Sequence, residues 1–212
     1  MKPTIALFLH HPVCAVDCTN GTIKALQSHY NFKIFTKHEL EDNFFDDVDI
    51  VSFPGGYGDS DSFDYLLKTN ISAVKRFIKN GGKYLGICMG AYWAGKHYFN
   101  LLKDAEVLQY IKQPNTDTRR PHAKSINVTW KGMPDRMYFY DGCAFTGTNF
   151  KTISTYANGD AMSIIQENLG LIGCHLESED SWYDQYSWMK QHKQGTRHHE
   201  LLLDFVSDLR NS

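Results

Sequence analysis

The chain lacks most of the features that would send it to a membrane, a nucleic acid or the outside of a cell. No apolar run approaches the roughly 20 residues that a spanning helix needs, so no membrane contact is expected. The apolar start, residues 4–9, gives way to His10 and His11, too soon for a secretory h-region. Charge of one sign is missing as well. Lys and Arg total 22 against 24 Asp and Glu, a formal net charge of −2, so no electrostatic footprint for nucleic acid is present. Cysteines are few and odd in number, five without regular spacing, which argues against a disulfide framework. Cys14 and Cys18 have no second paired set, so no zinc site and no other metal is expected. The sequons at Asn70 and Asn127 mean little without secretion. A cytoplasmic protein without cofactor is the expectation. No Pro/Ser-rich linker, low-complexity tract or internal repeat divides the 212 residues, so residues 1–212 are expected to form one domain. Its 42% hydrophobic content suffices for a sizeable core.

What is present alternates between strand and helix patterns. Residues 4–10, 32–36 and 50–53 read as strands, with a helix over 21–29 between the first two. Residues 61–80 carry Phe63, Leu66, Leu67, Ile71, Val74, Phe77 and Ile78 at helical spacing, and Gly81-Gly82 supplies the stop. Asp59 reads as the cap of that helix. A strand over 84–87 and a helix over 89–102 follow. This alternation predicts a doubly wound α/β sheet. Between 101 and 173 the pattern changes to short strands at 125–130, 136–140, 152–156 and 161–166. They predict antiparallel hairpins inserted at the sheet edge before a final strand that runs into His175. Residues 200–210 read as a closing helix.

Three segments carry chemistry. In Lys83-Tyr-Leu-Gly-Ile-Cys-Met-Gly-Ala-Tyr92 a buried strand meets a helix at Cys88, between Gly86 and Gly90. This is a nucleophile elbow with sulfur in place of the serine oxygen. In Phe53-Pro-Gly-Gly-Tyr-Gly58 a strand ends in a glycine loop. Loops at the carboxyl ends of parallel strands gather on one edge, which brings this loop beside Cys88. The Gly56 and Met89 amides can then form an oxyanion hole. In Gly173-Cys-His-Leu-Glu177 a carboxylate stands two residues after a histidine, on the same side of an extended chain. Glu177 can orient His175, and His175 can act as the base for Cys88.

With these segments in this order the chain resembles the class I glutamine amidotransferase-like superfamily. Within it the closest likeness is to the domain at the N-terminus of eukaryotic biotin-protein ligases. The resemblance implies a three-layer, flavodoxin-like, mostly parallel sheet with an antiparallel hairpin insertion. It implies Cys88 as nucleophile, His175 as base and Glu177 as orienting acid, with the Gly56 and Met89 amides as the oxyanion hole and Gly55, Tyr57 and Tyr92 near the substrate. The implied activity is hydrolysis of a small amide or acyl substrate through a thioester. If the substrate is glutamine, the ammonia passes to a separate synthetase. Two positions depart from the family pattern. Tyr92 stands where a typical member has a glutamine that helps hold the substrate, and Leu176 stands where a proline is usual.

The alternative is a non-catalytic or regulatory small-molecule-binding module that keeps the elbow. A weaker one is the related group of intracellular proteases and hydratases, which usually place a Glu near the first strand where this chain has His10 and His11. Other residues admit two readings each. Asp59 and Asp61 suit a substrate mouth or a helix cap. Glu179 and Asp180 suit an ammonium or a first helical turn. Arg119 and Arg120 suit an anion or solvent. Trp182, Tyr183, Tyr186 and Trp188 suit a pocket wall or core packing.

Overall fold

The computed structural model describes residues 2–41 and 43–212. In chain order its strands are β1 (Thr4–Phe8), β2 (Asn31–Phe35), β3 (Ile50–Phe53), β4 (Lys83–Ile87), β5 (Ala105–Gln109), β6 (Lys124–Trp130), β7 (Met133–Phe139), β8 (Cys143–Gly147), β9 (Lys151–Tyr156), β10 (Ala161–Gln166) and β11 (Leu169–Ile172). The helices are α1 (Val16–Leu26), α2 (Ser60–Leu67), α3 (Ile71–Lys79), α4 (Met89–Trp93), α5 (Asp180–Tyr183) and α6 (Arg197–Arg210).

One half of the sheet is parallel, in the order β2-β1-β3-β4-β11. This is the flavodoxin-like order of a doubly wound fold, as the alternation predicts. Strands β3 and β11 are buried along their whole length. Central parallel strands have helices on both faces, so they read as continuous apolar runs. On one face Ala25 and Leu26 of α1 and Leu202, Phe205 and Leu209 of α6 pack with Ile5, Leu85 and Ile172. On the other, Phe63, Leu66 and Val74 of α2 and α3 and Trp93 of α4 pack with Phe8, Val51 and Phe53.

Beyond β11 the sheet turns antiparallel through β10, β9, β6 and β7, with β8 paired to β10 and β5. The insertion before the His strand is therefore larger than a hairpin. Strand β6 alternates between buried and exposed positions over its second half, the mark of a sheet with one wet face. Strands β5 and β8 carry no such alternation in sequence and escape a sequence reading.

Three helices differ from expectation. The helix read over 21–29 begins earlier and ends earlier, running from Val16 to Leu26. The helix read over 61–80 is broken by a tight turn at Lys68–Asn70. Thr69 and Asn70 are weak helix formers, and the Asn70 side chain donates to the Lys37 carbonyl instead. The helix read over 89–102 stops at Trp93. Gly95 follows closely, and Asn100 takes a left-handed φ of 51°. The turn folds Phe99 into the core, 5.0 Å from the rings of both Phe53 and Phe63. Elsewhere the local signals act as read. Gly81 ends α3 at φ +98°, and the Asp59 carboxylate accepts the Ser62 amide at 2.9 Å to cap α2.

Candidate active site

Strand β4 ends at Cys88, whose φ of 49° and ψ of −102° lie outside the regions open to ordinary residues. Neighbouring backbone holds it there. Its amide donates to the Ile172 carbonyl of β11 at 2.8 Å, and its carbonyl accepts from the Tyr92 amide at 3.0 Å. The turn is so tight that a side chain at residue 90 has no space. A Cβ on Gly90 would lie 1.9 Å from the Phe53 carbonyl oxygen. The Cys88 thiol is nearly buried and donates to the Tyr140 carbonyl at 3.6 Å. Met89 opens α4, so its amide has no acceptor within the helix.

The glycine loop after β3 closes over the same region. Ala15 donates to the Gly55 carbonyl at 3.1 Å and Tyr57 donates to the Val13 carbonyl at 2.7 Å. These bonds form a bridge between Cys14 and Gly56 and leave the Gly56 amide outside it. The Gly58 amide donates to the Met89 sulfur at 3.1 Å, which fastens the loop to the elbow helix.

His175 lies beyond β11, its amide donating to the Tyr138 carbonyl of β7 at 3.0 Å. Its Nδ1 donates to the Glu177 Oε1 at 2.8 Å. The carboxylate is fully buried, and its other oxygen, Oε2, has no hydrogen-bond partner among the described residues. The Nδ1 bond leaves Nε2 as the nitrogen free for proton transfer. Burial pushes the His175 pKa down, but the Glu177 carboxylate, Cys88 and Cys18 outweigh it and hold the pKa well above the ordinary histidine value. The other four cysteines are held toward the thiol form by burial. Burial pushes Cys14, Cys18 and Cys174 up to about 12, and Cys143 is also pushed well above the ordinary thiol value.

Cys88, His175, Cys18, Gly56 and Tyr57 line one cavity of about 160 Å³, walled by Tyr138, Tyr140, Trp182 and Tyr186. Sites for drug-sized ligands run to about 300–1,000 Å³, so this volume suits only a smaller ligand. A larger cavity of about 490 Å³ sits at the opposite edge of the sheet, around Asp49, Gly81, Gly82 and Lys83. The perturbed groups converge on the smaller one, and chemistry rather than size identifies the site.

The sequence-predicted residues fall into two groups. Cys88, His175, Gly56 and Tyr57 meet at the cavity, with Glu177 directly behind His175. Gly55, Met89 and Tyr92 are not among its lining residues. Gly55 backs the imidazole, where a Cβ would lie 2.7 Å from both His175 Cε1 and Cys18 Sγ. Tyr92 is tied to the Asp141 carbonyl through its hydroxyl at 3.0 Å. The Arg119 guanidinium donates to the Gln113 and Ile111 carbonyls, a structural role. Glu179 pairs with Lys24, and Asp180 accepts the Gly195 amide. Trp182 packs its ring 5.7 Å from the His175 ring, so it is both core and wall.

Cys18 is the residue that sequence reasoning missed. Its Sγ lies 3.9 Å from the His175 Nδ1, and the donor atoms of Cys18, His175 and Glu177 all lie within 4.8 Å of one another. The signal was Gly21. Glycine inside a helix marks a close approach, and a Cβ there would meet the Glu177 carbonyl at 2.1 Å.

Residues 12–109 match the model of the family described as biotin-protein ligase, N terminal. That span holds the glycine loop and the elbow and stops short of His175 and Glu177. The whole fold is similar to a glutamine amidotransferase from Thermotoga maritima, at TM-score 0.68 and 13% identity over 100% of both chains. PurLQS from the same organism gives a TM-score of 0.64 and 16% identity over 99% of this chain and 100% of that one. A glutamine amidotransferase from Methylobacillus flagellatus gives 0.58 and 11% over 100% and 90%. No curated protein matches the sequence. The resemblance read from the motifs thus holds in the family model and in the fold.

Proposed function

We propose that this glutamine amidotransferase-like protein is a cysteine amidohydrolase that cleaves the C–N bond of a small amide. One observation carries the reading. A thiol held at a strained elbow shares a cavity with a buried imidazole whose far nitrogen bonds a carboxylate at 2.8 Å.

Each residue has one task in this chemistry. Cys88 loses its proton to His175 Nε2 and its sulfur attacks the carbonyl carbon. The carbonyl oxygen becomes an oxyanion, which the Gly56 and Met89 amides stabilise. His175 returns the proton to the leaving nitrogen, the C–N bond breaks and a thioester remains on Cys88. Water, deprotonated by His175, then hydrolyses the thioester. Glu177 keeps Nδ1 protonated and stabilises the imidazolium in both steps. If the amide is that of glutamine, the product is ammonia, and a separate synthetase is the natural consumer.

A second reading, a binding module without turnover, rests on Tyr92. Its hydroxyl donates to the Asp141 carbonyl rather than to a substrate. Treatment with a glutamine-mimicking chloroketone, followed by peptide mapping, separates the readings. Adduct at Cys88 that glutamine blocks supports a glutaminase. Fast iodoacetamide reaction at Cys88 without response to the mimic supports hydrolysis of another amide. Reaction no faster than at Cys14 or Cys143 supports the binding module and refutes the hydrolase.

A further inference from the structure

We propose that Cys18, His175 and Glu177 form a binding site for a divalent transition metal of the zinc class, and that the bound ion switches off the adjacent nucleophile. Thiolate, imidazole and carboxylate are the three ligand types that zinc takes. The geometry is close to what an ion needs. Nδ1 lies 2.8 Å from the Glu177 Oε1 and 3.9 Å from the Cys18 Sγ. Ligands at zinc bond lengths in a tetrahedron are roughly 3.3–3.8 Å apart. Sub-ångström movements bring those two pairs to ligand spacing, and the third pair, Cys18 Sγ and the Glu177 carboxylate, lies within 4.8 Å.

A second observation points to a cation. The Glu177 Oε2 is fully buried and accepts no hydrogen bond among the described residues. A buried carboxylate oxygen without a donor is costly, and an ion bound to this carboxylate beside Nδ1 and Sγ would offset that cost. Charge also balances. One divalent ion, one thiolate, one carboxylate and one neutral imidazole sum to zero, as a buried site requires. Cys18 and His175 both line the cavity, so the ion has a route in. The open coordination position faces that cavity and takes water or a small ligand.

Binding moves protons in a defined way. The Cys18 thiol loses its proton to solvent and forms the S–metal bond. The ion replaces the Nδ1 proton, which leaves to solvent while Nε2 takes one up, so the ring stays neutral as its Nε2–H tautomer. His175 can then no longer accept a proton from Cys88. The block on Cys88 rests on the function proposed above; the binding of the ion does not.

Cobalt(II) is the probe, added to chelator-stripped full-length protein and then displaced by zinc(II). The expected result is one equivalent bound with a thiolate-to-cobalt charge-transfer band. Cys88→Ala keeps the band, and Cys18→Ser loses it with at least a 100-fold drop in affinity. A band that survives Cys18→Ser, or vanishes in Cys88→Ala, overturns the site, since the ion then sits on the nucleophile. X-ray absorption of the zinc-loaded wild type needs no variant. It should report one sulfur and one imidazole per ion; two sulfurs or none overturns the assignment. Saturating zinc should slow iodoacetamide labelling of Cys88 at least tenfold in the wild type and leave Cys18→Ser unaffected. Stoichiometric cobalt binding through Cys18 with undiminished labelling of Cys88 would uphold the site and overturn the switch, and with it the coupling of His175 to Cys88.

Discussion

Replacing Glu177 by Gln tests the triad with little change of shape. The carboxylate is the leading group that holds the His175 pKa above its ordinary value, against burial. Gln can still accept from Nδ1, so the ring keeps its orientation, but it cannot stabilise the imidazolium by charge. A hydrogen bond to a charged partner contributes about 1.5–3 kcal/mol against about 1 for a neutral one. The difference, about 0.5–2 kcal/mol, corresponds to about 2- to 30-fold less imidazolium–thiolate pair. Iodoacetamide alkylation of Cys88 at pH 7 should therefore fall about 2- to 30-fold, and its rise should move to higher pH. The other cysteines serve as internal controls, since burial pushes Cys14, Cys18 and Cys174 up to about 12.

The same substitution has a stability signature with a definite sign. A histidine pKa raised by folding stabilises the protein fully below the unfolded value of about 6.5 and loses that contribution as pH rises through the folded value. Unfolding by urea across this window should show wild-type stability declining with pH and the variant flat. Alkylation of a folded Glu177→Gln protein at the wild-type rate, with an unshifted pH profile, would refute the coupling of Glu177 to Cys88 through His175.

Gly90→Ala should cost at least about 3 kcal/mol, because its Cβ would lie 1.9 Å from the Phe53 carbonyl oxygen and backbone must move. Calorimetry should find the melting temperature down by about 6–12 °C; an unchanged value would mean that the elbow is looser than described. Asp135 joins β7 to α6 through Arg197 at 2.8 Å. Burial pushes its carboxyl up, but His198, the Arg136 amide and Arg197 outweigh it and bring the pKa down to about 2. Its contribution, about 2 kcal/mol, is present above about pH 4 and fades as pH falls toward 2. Asp135→Asn should remove that acid dependence and lower stability at neutral pH, which denaturation at pH 2 and pH 7 would measure.

The parallel half of the fold was legible because each of its signals is local. Apolar runs at β3, β4 and β11 announce strands buried on both faces, and the glycines at 56, 86 and 90 mark where backbones touch. The antiparallel half was only partly legible. Strands β6, β9 and β10 stand between clear turns, but β5 and β8 become strands through tertiary pairing, β5 with β8 and β8 also with β10. The length of α4 was misread because Phe99 gains more by turning into an aromatic cluster than by extending a helix, a tertiary gain that overrides propensity. Within the site, His175 and Glu177 were readable from their spacing. Cys18 was not, because its neighbours are 157 residues away at His175 and only the packing of α1 over the loop after β11 brings them together.

Under the proposed function this division separates the reacting groups from the groups that would choose the substrate. Cys88 and the glycine loop stand at the ends of β4 and β3, and His175 follows β11, all within the parallel half. The walls are supplied largely by later chain: Tyr138 from the end of β7, Tyr140 just after it, and Trp182 and Tyr186 beyond the triad. Tyr140 serves twice, since its backbone carbonyl accepts the Cys88 thiol at 3.6 Å while its side chain lines the cavity and is 42% exposed. Tyr140→Ala keeps the carbonyl and removes the wall. The intrinsic reactivity of Cys88 toward iodoacetamide should then stay within about threefold, while protection of Cys88 by any amide that binds the cavity should weaken about tenfold, roughly 1.4 kcal/mol. A change in alkylation rate with unchanged protection would mean that the aromatic ring tunes the nucleophile directly, and that recognition lies instead on the glycine loop and Tyr57.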